Sequence, residues 1–215
     1  DVELNDSPEQ VFDLVEAAME NGELSLIDEF ADQIYGDGTG NSNKDIDGLA
    51  IAVSRTGTYG GLARGTDSQG SSIRAAVEDT TGGALALATV NTHFGTCTVG
   101  RKKPDLLVTT QTLWNRIWER SQPSEQNKPN AMRDIGFEAV GFNGADVTVD
   151  SHCPSGFLYL LNTEFFEWYV HRKWDFRFRG FMEPAQQQAQ IGQLIAWGNI
   201  VCRGPRFNGV ASGLT

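Results

Sequence analysis

"SPEQVFDLVEAAMENGELSLIDEFADQIYGDGTGNSNKDIDGL", residues 7–49, joins an amphipathic pattern to a run of turn residues. Ser7-Pro8-Glu9-Gln10 supplies a capping serine, a proline for the first helical position and a glutamine that completes a capping box. Val11, Leu14, Val15, Ala18, Met19, Leu26, Phe30 and Ile34 recur at helical spacing, and Gly36 suits the C-cap. The spacing predicts a long helix over residues 8 to 35, with a bend allowed at Asn21-Gly22. Glu9, Asp13, Glu16, Glu20 and Glu23 fall on another face at steps of three and four. Like charges so spaced weaken a helix by about 0.2–0.5 kcal/mol per pair. Such a helix needs packing and a basic neighbour, and the stripe is either a solvated face or a partner surface.

The loop that follows, Tyr35 to Leu49, holds four glycines, three aspartates and two asparagines, which is the vocabulary of ligand loops. A calcium loop starting at Asp37 needs glycine at its sixth position and glutamate at its twelfth, but Ser42 and Gly48 stand there. A phosphate loop needs Ser or Thr after its lysine, and Lys44 is followed by Asp45. The dinucleotide fingerprint fails at Asn43, where its third glycine belongs. Gly, Asn and Asp tolerate positive φ, so the expected role is to turn the chain.

The 215 residues are 40% hydrophobic and 10% aromatic, as in a globular protein of one domain or two small ones. No apolar run is long enough to cross a membrane and no secretory signal opens the chain, which begins at Asp1 as a processed chain would. Cys97, Cys153 and Cys202 are odd in number and widely spread, which suits a reducing compartment rather than a disulfide framework. Of the 28 acidic residues, twelve lie in residues 1–43, which contain no Lys or Arg; the rest of the chain is near balance. The acidity is therefore a property of the head, and phosphates would be repelled there.

Further along, Gly48 to Val53 reads as a short strand, and Thr56 to Ser72 as an extended, mobile loop. Helices are expected at Ala84 to Phe94 and Thr110 to Arg120, with the buried strand "DLLVTT" between them. Strands are expected at Phe137 to Phe142, Ala145 to Val149 and Phe157 to Leu161, the first two joined as a hairpin by Asn143-Gly144. "DFRFRGFM" alternates like a half-buried strand, and Ile191 to Cys202 is a further apolar segment of β character. There is no internal repeat. The class is α+β.

Chemistry is harder to find. His93 with Cys97, and His152 with Cys153, compose a two-His, two-Cys zinc site on paper, but neither pair has a finger or ribbon spacing. No G-x-S-x-G, no H-E-x-x-H and no distinctive carboxylate pair occurs. Phe165, Phe166, Trp168, Tyr169 and Trp174 could stack bases or sugars, though core or interface packing is the expected use. The reading is of a non-enzyme without metal or cofactor.

The order of segments carries more. After the acidic helix come "YGDGTG", "DIDGLAIAV" and "TYGGLAR", then "KPDLLVTTQTLWNRIW", "DIGFEAVGFNGADVTVDSHCPSGFLYLLNT" and "DFRFRGFMEPAQQQAQIGQLIAWGNIVCRGPRFNG". This series resembles the major capsid proteins of tailed bacteriophages, with the Hong Kong 97-like fold, from about Ser7 to Gly209. The resemblance implies a spine helix and following loop in a peripheral domain (1–55), an axial α/β domain (56–170) and a return to the peripheral sheet (171–215). The helix should lie across a sheet that includes Asp175 to Met182 and Ile191 to Arg203.

The resemblance also implies self-assembly into pentamers and hexamers of an icosahedral shell, assembled in the host cytoplasm and found in the virion. The partners would be further copies, other phage head proteins and packaged DNA without sequence-specific contact; no membrane, catalytic residue or cofactor is implied. The acidic stripe should meet basic residues of Arg172, Lys173, Arg177 and Arg179, of a neighbouring subunit, or of a segment preceding the helix. The family's N-terminal arm and extended loop precede its spine helix, whereas Asp1 to Asp6 alone do so here, as in a trimmed core. The alternatives are an encapsulin-like compartment and, from another class, a metal-dependent enzyme using the His/Cys set.

Overall fold

The computed structural model describes residues 8–64, 73–125, 140–182 and 191–215. Helix α1 spans Pro8–Ile34, as its spacing predicts, without interruption at Asn21-Gly22. The capping serine Ser7 lies outside the described residues. A left-handed turn follows, with positive φ at Gly38, Asn41, Ser42 and Asn43, so the opening loop does turn the chain.

The expected strand over Gly48 to Val53 is instead one helical turn, Leu49–Ala52. Short apolar runs do not distinguish strand from helix, and here burial of Leu49, Ala52 and Val53 under the central sheet decides. The glycine-rich stretch beyond it contains a small hairpin, β1 (Thr58–Tyr59) with β2 (Leu62–Ala63), where only an extended loop was expected; the rest of that loop, 65–72, lies outside the described residues.

The centre is a six-stranded mixed sheet of β3 (Val77–Asp79), β4 (Leu106–Thr109), β5 (Val140–Phe142), β6 (Ala145–Val149), β7 (Leu158–Leu161) and β12 (Gly209–Ala211). Its order is β3-β12-β7-β4-β6-β5. Asn143 and Gly144, both at positive φ, close the β5–β6 hairpin as a two-residue loop, with Phe142 opposite Ala145. Helix α2 (Leu87–Cys97) starts and ends about a turn later than its spacing suggests, and helix α3 runs over Gln111–Glu125.

Both faces of the sheet are covered. Leu107, Val147, Leu158 and Leu160 pack with Val90 and Phe94 of α2 and with Leu113, Trp114 and Ile117 of α3. Their sequence neighbours Val108, Tyr159 and Leu161 project into a second core with Tyr35, Leu49, Ala52, Val53, Cys153, Cys202 and Val210. The period-2 alternation of a strand thus feeds two cores, which is why β4 and β7 read as continuous apolar runs.

The remaining strands form an antiparallel ribbon. β8 (Phe166–Val170) pairs with β11 (Gly198–Cys202), and β9 (Arg177–Met182) pairs with β10 (Ile191–Ile195). Between the two ladders, His171 and Trp197 continue the pairing through an N–H to carbonyl bond of 2.7 Å. The apolar segment 191–202 is therefore two strands, because Ala196-Trp197 interrupts it. Of the phenylalanines of "DFRFRGFM", Phe178 alone is half-buried, while Phe176 and Phe181 are exposed.

β8 pairs within the ribbon, and β12 is inserted between β3 and β7 of the central sheet.

Candidate functional site

The opening loop is where helix, sheet and ribbon meet. Asp47 and Asn199 of β11 exchange two hydrogen bonds, Asp47 N to Asn199 Oδ1 and Asn199 Nδ2 to Asp47 Oδ2, each 2.8 Å. Asp37 accepts from the Thr39 N–H and hydroxyl, which holds its carboxyl below the usual range. Two of the loop's three acids, Asp37 and Asp47, are thus engaged with the protein itself.

At the end of α1, Tyr35 donates to Asp150 Oδ2 at 2.6 Å, and burial together with that carboxylate pushes the phenol's pKa up. The other oxygen of Asp150 accepts from the His152 N–H at 2.9 Å. The His152 ring then reaches back to α1, with Nδ1 2.7 Å from Asp32 Oδ1 and Nε2 3.4 Å from Asp28 Oδ1. Its pKa is raised, first by the hydrogen bond to Asp32 and further by the charges of Asp32, Asp28 and Asp150, against the opposing effect of desolvation. The acidic helix does find a basic partner, but it is a histidine that sequence reasoning had considered for zinc. Two acids four residues apart, one helical turn, were the available signal.

The other metal candidates lie in different surroundings. His93 sits 3.3 Å from Asp79 of β3, with its Nδ1 buried and unpartnered. Cys97 lies against Gly209, and Cys153 belongs to the second core. Burial raises the thiols of Cys97 and Cys153 to about 12. Among the described residues, no three His, Cys, Asp or Glu side chains could hold one ion.

The aromatic cluster divides. Phe165 stacks on Phe207 at 4.4 Å, and Phe166 packs on the second core. Trp168 and Tyr169 remain 40% and 50% exposed, and Trp174 leans on Trp197, itself 57% exposed. Phe30 of α1 meets Trp168 edge-on at 5.9 Å and Phe176 at 5.2 Å, which fixes the helix to the base of the ribbon.

Among the described residues, the expected charge partners do not meet. Glu16, Glu20 and Glu23 are exposed on α1; Arg172 and Lys173 are exposed in the turn after β8, and Arg177 and Arg179 are exposed on β9. Among the described residues, no ion pair links the two sets. The Glu9 and Asp13 side chains lie outside the described residues.

No family model and no curated protein matches the chain. Solved structures do. A chain of the cyanophage A-1(L) capsid asymmetric unit superimposes with a TM-score of 0.70 at 16% identity, over 96% of this chain and 71% of that one. The fold is phage capsid-like. A chain of the satellite phage P4 procapsid that includes size determination (Sid) protein follows at 0.52 and 11% identity, over 97% of this chain and 65% of that one. This capsid-like fold is mixed helix and sheet, in agreement with the α+β reading, and the likeness extends over α1, the central sheet and the ribbon together.

Proposed function

We propose that the chain is the shell-forming subunit of a phage head, with a Hong Kong 97-like division of labour. In this reading α1, the opening loop and the ribbon form the peripheral region, and the central sheet with α2 and α3 forms the axial region. Copies associate into pentamers and hexamers that close an icosahedral shell around DNA in the host cytoplasm, with other head proteins as further partners. The role is structural rather than catalytic. The observation that carries it is the likeness over 96% of the chain to a capsid subunit. The apolar side chains left exposed on α1 and the ribbon (Leu24 59%, Ile27 63%, Trp197 57%) add support, since surfaces of this kind mark interaction sites.

Electron microscopy of the complete gene product, expressed alone and with the other head genes, tests the reading. Closed shells are expected, filled with DNA when packaging is supplied. Shells that enclose a single enzyme would instead indicate an encapsulin-like compartment. A monomer at all concentrations would overturn the proposal.

A further inference from the structure

Two surfaces of this molecule are incomplete in complementary ways. Every residue from Glu16 to Ser25 is exposed, a run of ten on α1. A helix of that length standing in water is marginal without packing. Along α1 from Glu16 to Ile34 there are six acids and no Lys or Arg, and among the described residues it is Asp28 and Asp32 that meet a base, His152. Met19, Leu24 and Ile27 lie exposed among them.

The ribbon has the opposite character. Residues 171–179 carry Arg172, Lys173, Arg177 and Arg179 against the single acid Asp175. Among the described residues, none of these four cations meets a carboxylate. Beside them Phe181, Met182, Ile191 and Trp197 are between 43% and 57% exposed. Among the described residues, no acid of the chain's own helix pairs with these cations. The helix touches the ribbon at Phe30, and Glu16 lies about 21 Å further along the helix axis at 1.5 Å per residue.

We propose that the exposed half of α1 docks on the ribbon of the next copy of this chain. The stripe of Glu16, Glu20 and Glu23 faces Arg172, Lys173, Arg177 and Arg179 of that copy, and Met19 and Ile27 meet the ribbon's exposed apolar side chains. The contact joins unlike surfaces, so it is heterologous and propagates into a ring when the rotation closes. The charges set which segments meet and in what register, while the apolar side chains supply affinity. The inference rests on the shell reading and specifies one of its contacts.

Complementation by charge reversal tests it in the complete protein. One variant carries Glu16→Lys and Glu20→Lys; the other carries Arg177→Glu and Arg179→Glu. All four positions are exposed, so each variant should melt within a few degrees of the parent; where one does not, Gln at the same positions replaces the reversal. Each reversed variant alone should lose at least ten-fold in the assembled fraction seen by sedimentation. Their equimolar mixture should recover hexamer-sized rings, because in an alternating ring of six each reversed surface faces its opposite on a different chain; the Gln variants should weaken assembly without rescue by mixing. Variants that assemble like the parent, or a mixture that stays unassembled, would overturn the docking while leaving the shell reading intact. A parent protein that never assembles would overturn both.

Discussion

A Cβ at residue 48 would lie within 2.6 Å of the carbonyl oxygens of Gln33, Ile34 and Gly36, although its backbone (φ −88, ψ −164) suits any residue. The opening loop therefore returns across the C-terminal end of α1 so closely that only glycine fits. Gly48→Ala should cost about 2–3 kcal/mol, the upper part of the range for inserting a methyl group into packed structure. For a chain of this size that lowers Tm by roughly 5–10 °C, which calorimetry would resolve; an unchanged Tm would show that the loop can lift away. The turn chemistry of this loop was legible from its Gly, Asn and Asp content. The reason for Gly48 was not, since it depends on carbonyl groups that only the folded helix brings there. His152 makes the same point. Its partners Asp28 and Asp32 lie more than a hundred residues away in sequence, so residue type alone offered a zinc site on paper, without a spacing to support it, and gave no sign of this ion pair. Because its folded pKa is raised above the ordinary 6.5, its proton stabilises the fold. That contribution is complete below the unfolded pKa and fades as pH rises through the folded one. An NMR titration should place the His152 midpoint above 6.5, and Asp32→Asn should bring it down. The parent's Tm should fall across that window more than that of His152→Gln.

At the scale of elements, α1 is the clearest success of pattern reading and also shows its limit. The 3.6-residue period gave the extent of the helix, but burial follows contact rather than period. Leu26 and Phe30 are half-buried, whereas Met19 on the same apolar stripe is 40% exposed; among the described residues, the ribbon's aromatic rings meet the helix at Phe30. Phe30 is the joint. Truncating a fully buried phenylalanine costs about 3–5 kcal/mol, and a half-buried one roughly half of that. Phe30→Ala should therefore destabilise the ribbon's attachment by about 2 kcal/mol. Hydrogen exchange is the appropriate probe, since local opening is read separately from global unfolding. Amides of β8 and β11 should exchange faster in the variant while those of β4 and β7 keep their protection. Uniform loss of protection would mean that helix, ribbon and sheet unfold as one unit.

For the whole molecule, sequence reading found the strands of the central sheet except β3 and β12, and it could not have found their order. β12 has three residues, Gly209 to Ala211, with no alternation long enough to detect, and it pairs in parallel with β3 some 130 positions earlier. It also pairs antiparallel with β7, through Gly209 opposite Leu160 and Ala211 opposite Leu158. The chain continues the attachment beyond the strand. Thr215 donates its N–H to the Gly83 carbonyl at 2.8 Å, and Leu85 donates to Thr215 at 3.3 Å. Deleting 209–215 would leave β3 without a neighbour and β7 with an open edge, and would expose the apolar side chains of the second core around Val210. The lost pairing and burial together should exceed about 5 kcal/mol, which is comparable to the whole stability of an ordinary domain. The truncated chain should therefore lose cooperative melting by circular dichroism rather than show a modest shift. A truncated chain that melts cooperatively near the parent's Tm would mean that β4, β5, β6 and β7 with α2 and α3 suffice as a folding unit, and that β12 serves only to tie the ribbon back to the sheet.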